Sequence, residues 1–112
     1  MPMPQMDAES RKRPIAYDPE RDVFISFDDI VSGQEKIIPL DSLSDFDLKK
    51  LVIERWRVLP GETTVQAMSG KPLSRDDVIH AIEQDETFGK ITLEAEKSYL
   101  RDLLNEIAQN LE

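Results

Sequence analysis

The chain has 112 residues, with 23 acids against 14 bases and a formal charge of −9, which is room for one domain and repels phosphate backbones at long range. The absence of cysteine removes disulfides, thiolate metal sites and a cysteine nucleophile together. No apolar run approaches the roughly 18–20 residues of a membrane span, and the start MPMPQMDAES lacks the basic-then-apolar order of a secretory signal, so a cytoplasmic address is expected.

Residues 1–22 hold four prolines (Pro2, Pro4, Pro14, Pro19), many charges and almost no apolar periodicity. Such a segment buries too little surface to offset its ordering entropy, and a disordered N-terminal arm is expected, with the folded domain over 23–112. Arg11, Lys12 and Arg13 form the chain's one basic cluster, which Asp7, Glu9 and Asp18 dilute. Three cations are too few for strong phosphate binding, and nucleic acid is not an expected partner. The run Val23-Phe24-Ile25-Ser26-Phe27 reads as a strand with Val23, Ile25 and Phe27 on one face. After the Ser32-Gly33 turn signal, Glu35–Leu40 reads as a second strand that Pro39 confines to an edge. The result is a hairpin over 23–40 that needs helices against it to persist.

The first predicted helix spans 45–58. Ser44 stands at its N-cap, Asp47 at N3, and Leu43 and Leu48 sit where a hydrophobic staple places them; Pro60-Gly61 ends it. Leu48, Leu51, Val52, Trp56, Val58 and Leu59 cover one broad sector that Phe46 and Ile53 widen, which predicts a central helix touched on more than one side. Trp56 is expected to be largely buried there. The stretch 62–71 is ambiguous: Thr63-Thr64-Val65 leans towards strand, whereas Val65-Gln66-Ala67-Met68 suits one helical turn. A second helix begins near Arg75 behind the Ser74 cap, buries Val78, Ile79, Ala81 and Ile82, and stops before Phe88-Gly89, read as a turn. The third predicted helix spans 93–111 with Thr92 as N-cap. Leu93, Leu100, Leu104, Ile107 and Leu111 fall within about 60° of one another, with Leu103 alongside. The four glycines, Gly33, Gly61, Gly70 and Gly89, all fall at predicted junctions. The fold class is therefore α+β and mainly helical: an N-terminal β-hairpin packed on a three-helix core, preceded by the arm.

Residues for chemistry are few. His80 is the single histidine and lies on the polar side of the second helix, so the spacing of a two-histidine zinc site is absent. Asp28 and Asp29 at a strand end are the nearest approach to a cation site, and no calcium-loop order surrounds them. Neither a phosphate-binding glycine loop nor a Gly-x-Ser-x-Gly elbow exists. No catalytic, cofactor-binding or metal-ligating residue is assigned, and an enzyme is not expected.

What remains is apolar surface. The face of the third helix formed by Tyr99, Leu100, Leu103, Leu104, Ile107 and Leu111 is the expected protein interface, with Leu103 and Leu111 as its outer, less buried members. The heptad positions around Leu103 are Glu96 and Asn110, which disfavours a long coiled coil and leaves a short helix pair, including a homodimer through this helix. The expected function is a non-catalytic interaction module: an adaptor, regulatory subunit or accessory factor. Its rivals are an acidic inhibitor or antitoxin-like protein covering a basic, nucleic-acid-handling partner, a small helix-turn-helix DNA binder using the first two helices, and a metal-dependent hydrolase.

Overall fold

A computed structural model describes residues 6–66 and 70–111. In chain order it contains α1 (Ala8–Lys12), β1 (Pro14–Asp18), β2 (Val23–Ser26), α2 (Phe27–Val31), a 3-10 turn (Leu40–Ser42), α3 (Asp45–Arg57), β3 (Thr64–Gln66), β4 (Pro72–Ser74), α4 (Arg75–Glu83) and α5 (Thr87–Leu111). The class is the expected one, an N-terminal β-hairpin on a helical core. The hairpin itself lies elsewhere in the chain.

It is built from β1 and β2, antiparallel, with Ala16 opposite Ile25, Tyr17 opposite Phe24 and Asp18 opposite Val23. The segment read as a disordered arm thus supplies a core strand. Ile15, Ala16 and Tyr17 are each almost completely buried, and an irregularity between Pro14 and Ala16 lets consecutive residues face inward, as a bulge does. Three consecutive apolar residues between two prolines show no period, which is why the pattern was invisible. The part of the arm at Met1–Gln5 lies outside the described residues. The turn closes at Asp22, whose φ of 54° is left-handed and whose carboxylate accepts from the Tyr17 hydroxyl (2.6 Å) and from Lys50 on α3 (2.8 Å). Those two bonds hold Asp22 below the usual carboxylate range, the lysine contributing most.

Among the described residues Glu35–Leu40 pairs with no strand; Ile37 and Ile38 instead pack half-buried on the core on the way to the 3-10 turn. Phe27, expected at a strand end, opens α2, because Ser26 accepts from the Asp29 N–H while the Asp29 carboxylate accepts from the Ser26 N–H. That reciprocal capping ends the strand.

The central helix is α3, where Leu48, Leu51 and Val52 are buried and the packing partners are β1, α4 and α5. Ser44 caps it as the sequence indicates, accepting from the Asp47 N–H at 3.1 Å. Trp56 is partly buried and packs against the core. Of Thr63-Thr64-Val65, Thr64 and Val65 do become strand, in β3, paired antiparallel with β4; the alternative helical turn runs into Ala67-Met68, outside the described residues. Helix α5 starts six residues before its predicted start. Thr92 is no cap, its hydroxyl donating instead to the Phe88 carbonyl inside the helix. Gly89 is no turn either. It lies against the backbone of α4 at Ala81, so its lack of a side chain serves close approach.

The Ser74 cap yields a pH prediction. Its hydroxyl accepts from the Asp77 N–H (3.1 Å), and the Asp77 carboxylate accepts from the Ser74 N–H (3.0 Å), which lowers the Asp77 pKa. A carboxyl depressed in the folded state contributes stability that is complete above its unfolded value of about 3.9 and is lost as pH falls through the lower folded value. Asp77→Asn should therefore melt below the parent at pH 6, and the gap should narrow as pH falls below about 4. A gap that stays constant over that range would place the effect in packing.

Candidate interaction cleft

The predicted interface separates into two groups. Leu100, Leu103, Leu104 and Ile107 are core residues covered by the chain itself; Leu103 is the most exposed of the four, as expected, yet at 6% it is still buried. Only Tyr99 and Leu111, each about half exposed, reach the surface. The stripe is consumed by packing because α5 lies along α4, the 3-10 turn and α3.

A concavity lies on a neighbouring face of α5. Ile91 and Tyr99 are exposed there with Ala95 between them, at steps of four residues that align them on one side of the helix. Trp56 of α3 forms the facing wall, and Met6 and Ser10 close the N-terminal end. The cleft holds about 410 Å³, within the range of about 300–1,000 Å³ typical of ligand pockets.

Its charged lining consists of Arg13, Arg55 and Glu96. Arg55 is 4% exposed; Nε donates to Glu96 Oε2 at 2.8 Å and Nη1 to the Pro14 carbonyl at 2.9 Å. Its guanidinium carbon lies 5.6 Å from the centre of the Tyr99 ring, within cation–π reach. Arg13 uses Nε to donate to the Arg55 carbonyl at 3.0 Å. Among the described residues, neither Nη atom of Arg13 nor Nη2 of Arg55 donates to a protein acceptor. Burial first, and then the charge of Arg55, push the Arg13 guanidinium below its ordinary value, with Glu96 and Glu9 opposing. The lining carries two cations and one carboxylate, with Glu9 near enough to act on Arg13, in a chain of charge −9. The Trp56 Nε1–H is sealed from solvent and finds no acceptor among the described residues.

A second hollow, about 340 Å³, lies between Phe24, Phe46 and Ile53, and Phe46 is 74% exposed. Its cations are already neutralised: Lys49 pairs with Asp85 (2.9 Å), Lys50 with Asp22 (2.8 Å) and Arg57 with Glu54 (3.2 Å). It offers apolar contact without an unmatched cation among the described residues.

The remaining singled-out residues are placed as follows. Arg11 pairs with Asp28 at 2.6 Å and lies over the Phe27 ring, Lys12 is exposed, and the basic cluster is thereby divided between the α2 contact and the cleft. Asp29 is a cap and Asp28 an ion-pair partner, and among the described residues no three histidines or carboxylates gather as metal ligands. His80 is exposed on α4. Among the described residues no helix is long and apolar enough to cross a membrane.

Arg55 and Glu96 escaped the sequence reading, though a signal was present. Arg55 stands seven residues after Leu48 and four after Leu51, and Glu96 four before Leu100, so each interrupts the buried stripe of its helix with opposite charge. Buried charges are paired, and these two needed one another.

Together the fold and cleft define a small α+β protein with an aromatic-walled groove lined by two arginines. No protein family matches the chain, and neither does a curated protein or a solved structure.

Proposed function

We propose that the chain is a non-catalytic interaction protein whose contact surface is the cleft between the N-terminal segment, α3 and α5, not the leucine stripe of α5. The observation that supports this is the exposure of Ile91 and Tyr99 beside Trp56 over an ion cluster of two arginines and Glu96. Partly exposed aromatic side chains flanking a desolvated arginine are the residue types that dominate binding energy at protein interfaces. The uncovered remnant of the stripe, Leu111, is a single residue near a helix end, and isolated exposed apolar residues are ordinary.

The test places a photoreactive phenylalanine analogue at position 99 and, as a control, at His80 on α4. Cross-linking in the native cell to a defined polypeptide from position 99 and not from position 80 is the expected result. Tyr99→Glu and Ile91→Glu should each abolish capture of that polypeptide with the circular dichroism unchanged, whereas Leu111→Glu should leave it intact. Capture lost only with Leu111→Glu would return the interface to the end of α5.

A further inference from the structure

The guanidinium groups in the cleft indicate what the partner brings. Arg55 spends Nε on Glu96 and Nη1 on Pro14, Arg13 spends Nε on the Arg55 carbonyl, and the remaining Nη donors have no protein acceptor among the described residues. A half-buried cation beside a second cation, with Glu96 bonded to Arg55 and not to Arg13 among the described residues, is held in a configuration that an added anion stabilises. The walls around it are Trp56, Ala95, Ile91 and Tyr99, which favour an apolar group attached to that anion. We propose that the cleft binds a polypeptide segment carrying one aspartate or glutamate next to an apolar residue, the carboxylate meeting Arg13 and Nη2 of Arg55 and the apolar neighbour lying between Tyr99 and Trp56. This rests on the reading of the cleft as the interaction surface and adds the chemistry of its occupant. The long-range field of a chain with charge −9 opposes clustered acids, so the segment carries an isolated acid and not an acidic run.

The experiment uses the full chain and blocked pentapeptides, acetylated and amidated, in which one Glu or Asp is flanked by Leu, Ile or Phe. Matched Gln and Asn peptides and an all-Glu peptide complete the set. Trp56 is the sole tryptophan, so its emission reports occupancy directly. The acidic–apolar peptides should give saturable changes, and their amide counterparts should bind at least about tenfold more weakly, as loss of a charge-assisted hydrogen bond implies. The all-Glu peptide should bind no better than the amides. Arg13→Gln should weaken the acidic peptides to the level of the amides without altering amide binding, and Arg13→Lys should recover part of the loss. Glu96→Gln, which removes the internal competitor for Arg55, should tighten the acidic peptides; a gain of binding cannot come from misfolding. Equal binding of acid and amide peptides would overturn the carboxylate assignment and leave the cleft as an apolar contact surface. Binding by neither overturns the inference, and cross-linking from position 99 then shows separately whether the cleft reading falls with it.

Discussion

Gly89→Ala should be among the most damaging single-methyl changes in this protein. A Cβ at that position would lie 2.1 Å from the Ala81 carbonyl oxygen, 2.3 Å from its carbon and 2.6 Å from the Ile82 nitrogen. All three are backbone atoms of α4, so no side chain can rotate out of the way. Relief requires α4 and α5 to separate, which uncovers Val78, Ile82 and the α5 leucines packed with them. Overpacking of this kind costs about 3 kcal/mol or more, which for a domain of this size lowers Tm by roughly 12–20 °C. Gly61→Ala is the control, because nothing lies within 4 Å of a Cβ there; it should melt near the parent or slightly above it. A Gly89→Ala protein that melts within two or three degrees of the parent would mean that the two helices are farther apart than described.

Arg55→Leu should be comparably severe for a different reason. The substitution leaves the Glu96 carboxylate, whose side chain is 14% exposed, without its cation, and the Pro14 carbonyl without its donor. Removing one partner of a buried ion pair typically costs about 3–5 kcal/mol, while replacing both with apolar residues is often close to neutral. Urea denaturation should accordingly show Arg55→Leu unfolding at a much lower midpoint than the parent, and Arg55→Leu with Glu96→Leu recovering most of the difference. If the double variant is no more stable than the single one, the cost lies in the packing of the arginine stem and its bond to β1, and the pair with Glu96 contributes little. The same pair connects stability to the cleft, since Arg55 holds α3, β1 and α5 together while presenting Nη2 and its cation–π face to Tyr99.

Helix starts at Ser44 and Ser74 were legible in the sequence because a cap is a local event: a hydroxyl and an amide three residues apart meet whenever the chain turns into a helix. The buried faces of α3 and α4 were legible for a similar reason, since a helical period repeats within a dozen residues. Gly89 was read as a turn, because the backbone it approaches belongs to another helix and no local window shows that approach. The α5 leucines were correctly seen as one stripe, yet whether a stripe is covered by its own chain or by another depends on where α3, α4 and the 3-10 turn come to lie. The cleft was the least legible feature. Its parts, Arg13, Arg55 and Glu96, are far apart in sequence, and each reads singly as a tail cation, a helix cation or a helix-dipole acid.

By itself the sequence determined what short-range forces decide: the mainly helical α+β class, the caps, the central place of α3, and a composition without cysteine or a second histidine. Only the tertiary structure decided which strand pairs with Val23–Ser26, because Pro14–Asp18 acquires its burial from α3 and not from any pattern of its own. It likewise decided that Leu100, Leu103, Leu104 and Ile107 belong to the core and that Arg13 meets Arg55. Long-range packing brings like charges together only where the surrounding contacts outweigh their repulsion, and no window of sequence contains those contacts.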